Sequence, residues 1–113
     1  MQYLIQIYAN ASVEWEGLSE AEQQGVRQEY TAIFSAPGVF GGAQLQPVET
    51  ATTVRVQDGR TLTTDGPFAE TKEQLGGFYL VDCDNLDEAL EWAAKIPGAA
   101  TGSIEVRPIM NVM

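Results

Sequence analysis

The chain contains no histidine, a single cysteine and only six basic residues against sixteen acids. Each shortage narrows what the protein can do. Without histidine it lacks the one side chain whose ordinary pKa lies near neutrality, so any proton transfer must use a carboxyl group or a lysine. One cysteine, Cys83, rules out an intramolecular disulfide and a cysteine-rich zinc site, and fits a reducing, cytoplasmic setting. The net charge of −10 repels phosphate backbones and anionic lipid surfaces, which argues against direct nucleic-acid binding. No apolar run approaches the roughly 20 residues that cross a bilayer as a helix, so no membrane association is expected. "ANA" at Ala9–Ala11 resembles a signal-peptidase site only faintly, because no basic leader precedes it and Gln6 interrupts the apolar run. P-loop, dinucleotide, HExxH and GxSxG motifs are missing. "DCDNLDE" at Asp82–Glu88 lacks the glycine and the late glutamate of a calcium loop and reads as helix capping, so neither metal nor cofactor is expected.

What is present suits one soluble domain over residues 1–113, with 44% hydrophobic and 19% charged residues. "QYLIQIY" alternates Tyr3, Ile5 and Ile7 against Leu4, Gln6 and Tyr8, both sets largely apolar, as a central strand requires. Ser19 and Glu22 form a capping box ahead of Val26, Tyr30, Ile33 and Phe34, predicting a helix to about Ala36, where Pro37-Gly38 stops it. "VFGGAQLQP" reads as a short strand. "TTVRVQDGRTLTT" reads as a hairpin turning at Asp58-Gly59. "GGFYLVDC" is another strand, and Asn85 with Glu88 forms a second capping box for a helix whose face joins Leu86, Ala89, Leu90, Ala93 and Ile96. "SIEVRP" is the last strand. The order is β-α-β, hairpin, β-α-β: an α+β, ferredoxin-like βαββαβ layout with one inserted β-hairpin. Two helices on one side of such a sheet leave the other side bare. Because several strands are apolar on both sides, that face calls for a partner, most economically a second copy.

The stretch "DGPFAETKEQLGGFYLVD" resembles the signature of the DGPF branch of the YCII-related proteins. "YLIQIY", "TATTVRVQDGR", "LDEALEWAAKIP" and "VRPIM" resemble the same family, so the likeness covers nearly the whole chain. It implies a dimeric α/β-barrel built on the ferredoxin-like fold. In better-understood relatives a proposed active site pairs a histidine with an aspartate, and some resemble enzymes that dechlorinate or rearrange ring compounds. This chain has no histidine to carry over, and only Asp65 can stand where a family carboxylate stands. Members of the branch also resemble products associated with sigma factors, which implies an alternative role as a non-catalytic interaction module in transcription regulation.

The residues admit two readings of the signature. Asp65-Gly66-Pro67 is turn chemistry, and a structural turn accounts for it. Alternatively, Asp65 is the catalytic candidate, with Glu70, Lys72 and Phe68 as ligand-binding groups and its pKa moved toward neutrality by burial or a neighbouring charge. Arg107, a lone cation on an otherwise apolar strand, either pairs in the interior with Asp65 or Glu70 or captures a substrate carboxylate, and Tyr8 joins it as a ligand-binding candidate. Gly76 and Gly77 indicate close backbone approach, by a neighbouring strand or by a ligand. Trp15 and Trp92 read as packing or interface residues. The partners expected are a second copy of the chain and a small polar metabolite.

Overall fold

The computed structural model describes residues 1–9 and 17–110, so Trp15 and the last two residues of "ANA" lie outside the described residues. In chain order the elements are β1 (Gln2–Ala9), α1 (Glu20–Phe34), β2 (Val39–Gln44), β3 (Thr52–Gln57), β4 (Arg60–Asp65), β5 (Gln74–Asp82), α2 (Leu86–Ala94) and β6 (Ser103–Pro108). Short 3₁₀ turns occupy Val48–Thr50 and Pro97–Ala99. The main sheet has four strands in the order β2-β5-β1-β6, every pairing antiparallel. The fold is α+β, and β1 is central as its two apolar faces require. β3 and β4 form a separate two-stranded antiparallel sheet. Its turn places Asp58 and Gly59 at φ 52° and 75°, the two positive values that a type I′ connection needs.

The core lies on one face of the main sheet. Tyr3, Ile5 and Ile7 from β1 meet Tyr79 and Val81 from β5 and Ala89 and Ala93 from α2, with Ile96 and Cys83 completing the cluster. Tyr30 and Ile33 of α1 pack against the same cluster, so both helices cover this face. The opposite face carries Leu4, Gln6 and Tyr8 of β1 beside Phe78 and Leu80 of β5, all half-buried, and no described helix covers it.

Helix α1 starts where its capping box predicts. Ser19 Oγ accepts from the Glu22 amide at 3.1 Å and Glu22 Oε1 accepts from the Ser19 amide at 3.1 Å. The bond from the Ser19 backbone, then that from its side chain, hold the Glu22 carboxyl below the usual carboxylate range. Helix α2 shows half of the second box. Asn85 Oδ1 accepts from the Glu88 amide at 2.9 Å, but the Glu88 carboxylate turns to the Asp84 amide at 2.8 Å. The acid still satisfies an orphan amide at the helix start, one residue earlier than expected. The buried stripe of α2 also differs from its expected face: Ala89, Ala93 and Ile96 are buried and Trp92 is half-buried, while Leu86 and Leu90 are exposed. Small alanines occupy the arc of α2 that meets the core, and the leucines fall outside it.

Gly76 and Gly77 have a packing explanation. β5 slips by one residue against β1 between Ile7 and Tyr8, leaving Gly76 as the unpaired bulge residue. A Cβ on Gly77 would sit 3.0 Å from the Ala43 carbonyl oxygen of β2.

Tyr79 joins the core to α1. Its ring stacks on Tyr30 with centroids 6.5 Å apart and meets Phe34 edge-on at 4.9 Å, and its hydroxyl donates to the Tyr30 carbonyl at 3.2 Å. Burial, with a smaller contribution from Tyr30, pushes the phenol up to about 12. Because the folded pKa lies above the unfolded value of about 10, the stability linked to the neutral phenol is complete below about pH 10 and is lost as pH rises through about 12. Tyr79→Phe is therefore expected to cost about 1 kcal/mol at pH 7 through the lost hydrogen bond and to flatten the fall in stability between pH 10 and 12. Urea titrations of both proteins across that range provide the measurement.

Candidate functional site

The segment from Asp65 to Glu73 connects the hairpin to β5. Asp65 is the last residue of β4 and pairs with Thr52. Gly66, at φ 98°, donates its amide to the Ala51 carbonyl at 2.6 Å, and Thr53 Oγ1 donates to the Gly66 carbonyl at 2.8 Å. The turn is thus tied to the base of its own hairpin. Further on, the side-chain amide of Gln74 reaches back over the loop, donating to the Ala69 carbonyl at 3.1 Å and to Thr71 Oγ1 at 2.8 Å, with the Thr71 carbonyl at 3.2 Å. Thr71 Oγ1 in turn donates to the Glu73 carbonyl at 2.5 Å. Gln74 organises this loop, and sequence reasoning did not single it out. A glutamine between charged residues and a strand carries no pattern that marks it.

Asp65, Glu70 and Lys72 are all exposed, and among the described residues none of them makes an ion pair. Phe68 is 79% exposed, an unusual position for a phenylalanine. Tyr8 is half-buried on the uncovered sheet face, opposite Leu75 on one side and Ser103 on the other, so it lies at the loop end of the sheet. Arg107 does not join them. It pairs across from Leu4, four residues along β1 from Tyr8, a separation of about 14 Å at strand rise. The sequence placed Arg107 on a possible central strand, in a buried pair with Asp65 or Glu70. Instead β6 is an edge strand, Arg107 is exposed, and its Nη2 lies 2.8 Å from Oε1 of Glu105, its same-face neighbour two residues back. That contact is oblique: Glu105 Oε1 is covered from solvent yet receives no hydrogen bond.

Two shallow concavities lie away from the loop. One is a shallow trough on the outer side of α1 beside Gln24, Gln28 and Thr31, and the other flanks the hairpin tip at Gln57, Asp58, Arg60 and Leu62. Within one chain the Asp65–Phe68 turn is therefore a hydrogen-bonded surface feature with an exposed aromatic at its tip. Burial first, and then Glu88, Asp82 and Asp84 against the N-terminal ammonium, push the Cys83 thiol up, which disfavours its thiolate. Among the described residues no three carboxylate or thiol groups converge as metal ligands, and no helix is long and apolar enough to cross a membrane.

Two comparisons bear on this arrangement. The model of the YCII-related domain matches residues 1–113. An uncharacterised protein of Rhizobium meliloti (strain 1021) is 44% identical over 115 residues, an alignment that spans 96% of this chain and 92% of that relative.

The role of Gln74 is open to direct measurement. Gln74→Ala should speed amide exchange across residues 69–73 severalfold while lowering Tm by less than about 8 °C, since a solvent-accessible hydrogen bond contributes about 1 kcal/mol. Unchanged exchange in that segment would remove the glutamine as the loop's organiser.

Proposed function

The chain belongs to the YCII-related family, and on that premise we propose that it works in the cytoplasm as a homodimer that binds or transforms a small polar metabolite in a cleft beside the Asp65–Phe68 turn. The sheet order, with β3 and β4 set aside, supports a ferredoxin-like core carrying an inserted hairpin, and two such sheets facing one another would make the dimeric α/β-barrel. The observation that carries the reading is the uncovered sheet face, where Leu4, Tyr8, Phe78 and Leu80 stand around the polar strip of Gln6, Glu105 and Arg107. Apolar surface of this kind marks an interface. Closing a second sheet over it would remove water from Glu105 and Arg107, and enclosed charges of that kind require polar partners.

A second copy also resolves the separation between Arg107 and the loop. In an isologous pair, the Arg107 end of one sheet meets the loop end of the other if the two sheets run in opposite directions. The cleft then draws Asp65, Glu70, Lys72, Phe68 and Tyr8 from one copy and Arg107 from its partner. Arg107 would hold an anionic group of the ligand, Phe68 and Tyr8 would cover its apolar part, and Asp65 would accept its hydrogen bonds or protons. The closed hydrogen bonding of the loop favours a second reading, a non-catalytic interaction module whose acidic surface engages a basic protein.

Native mass spectrometry of gently purified protein gives the subunit count and any retained small molecule. Asp65→Asn should leave Tm within about 2 °C, since asparagine tolerates the same turn, while weakening binding of that molecule about tenfold or more. A fall in Tm with binding intact would remove Asp65 from the site. Phe78→Glu, at the centre of the uncovered face, should shift the protein to monomer in sedimentation, and an unaltered dimer would refute the proposed interface.

A further inference from the structure

Asp-Gly occurs twice in the chain, at Asp58-Gly59 in the turn of the β3–β4 hairpin and at Asp65-Gly66 at its base. The dipeptide is chemically special because glycine has no Cβ to shield its backbone nitrogen, which can reach the carboxyl carbon of the preceding aspartate and close a five-membered ring. The two copies sit in opposite surroundings. At the base, the Gly66 amide donates to the Ala51 carbonyl at 2.6 Å, the Gly66 carbonyl accepts from Thr53 Oγ1 at 2.8 Å, and Asp65 is paired with Thr52. At the tip, Asp58 and Gly59 are both exposed, and among the described residues the Gly59 amide donates to no backbone carbonyl. Asp58 is also the one non-glycine residue at positive φ among the described residues, at 52°, where an L side chain is crowded by its own backbone.

We propose that Asp58-Gly59 is a site of spontaneous backbone isomerisation and that the fold protects Asp65-Gly66 from the same reaction. The Gly59 nitrogen attacks Cγ of Asp58, the N–C bond forms as the carboxyl loses its hydroxyl group, and that group leaves as water with the amide proton. Water then opens the succinimide. Attack at Cγ restores aspartate, whereas attack at the α-carbonyl leaves the chain running through the side chain, as isoaspartate of unchanged mass. Ring closure requires Asp58 to rotate out of its type I′ geometry, so its rate follows local opening of the hairpin. Opening is easy at this tip: a lone two-stranded hairpin is marginal in water, and among the described residues no strand or helix of the main body packs along this one. At the base, closure must first break the bonds that hold Gly66 to Ala51 and Thr53. The product disrupts the turn that formed it. An isoaspartyl link adds a carbon to the backbone of a two-residue turn, whose length and twist set the register from Gln57 and Arg60 down to Thr52 and Asp65.

The test places Asn-Gly, which closes the same ring faster with loss of ammonia, at each position in turn. Full-length Asp58→Asn and Asp65→Asn are incubated in neutral buffer, and peptide mapping by mass follows conversion of each asparagine to aspartate and isoaspartate. In the folded proteins Asp58→Asn should convert about tenfold faster or more than Asp65→Asn. In urea the two should convert at similar rates, because only the fold distinguishes them. Asparagine suits turns and left-handed backbone, so the hairpin should form in both variants, which amide exchange checks. Aged wild type should accept a labelled methyl group from S-adenosylmethionine, transferred by an isoaspartyl carboxyl methyltransferase, in the peptide bearing residue 58 and not in the one bearing residue 65. The isoaspartyl form, once separated, should exchange its amides over residues 52–65 faster than fresh protein. A folded rate ratio no larger than the ratio in urea, faster conversion at 65, or aged wild type without label at 58 would overturn the proposal.

Discussion

Helix α1 buries no residue completely, so its position on the sheet depends on the buried ring of Tyr79 beneath it. That ring touches Tyr30 and Phe34 of the helix and bonds to the Tyr30 carbonyl, while the Tyr30 hydroxyl accepts the Gly98 amide at 3.1 Å. One chain of contacts therefore ties β5, α1 and the turn leading into β6. Aromatic contacts of this kind add about 0.5–1.5 kcal/mol each beyond their buried area, a large share of the hold on a helix with an otherwise thin apolar stripe. By fastening α1 to the same face as α2, the Tyr79 cluster also determines which side of the sheet is left bare. The bare face on which the proposed site rests follows from that choice.

Much of the fold was legible because its signals are local. The Ser19 box, the Asp58-Gly59 turn and the alternation in β1 each express a constraint confined to a few residues, and all appear where those constraints put them. The misreadings share a different cause. Leu86 and Leu90 have the spacing of a buried face, but which arc of α2 is buried depends on where the helix axis settles against the sheet. The Glu88 carboxylate chose between two amides one residue apart, a choice made by side-chain reach and not by spacing.

The candidate site was less legible than the fold. Asp65-Gly66 announces a turn through its residue types, and the turn is there. Whether Arg107 meets it depends on strand order, and an edge strand looks like a central one when its side chains alternate in the same way. A lone arginine on an apolar strand suggested a buried ion pair, yet at a sheet edge it can lie over its neighbour Glu105 and remain in water. Gln74 escaped notice because its work is done through backbone carbonyls, which have no sequence signature of their own.

The central place of β1 has a bearing on how the chain is made. Tyr3 pairs with Val81 on one side and Pro108 on the other, so the first strand finds its neighbours only when the final third of the chain exists. At about 5–20 residues per second, synthesis leaves the apolar β1 without either neighbour for roughly 4–15 s. Pairings between such distant parts of a chain slow folding, because loop entropy is lost before any contact offsets it. During that interval Tyr3, Ile5 and Ile7 form a sticky segment on the nascent chain, a natural handle for chaperones and a point at which crowded synthesis could turn to aggregation.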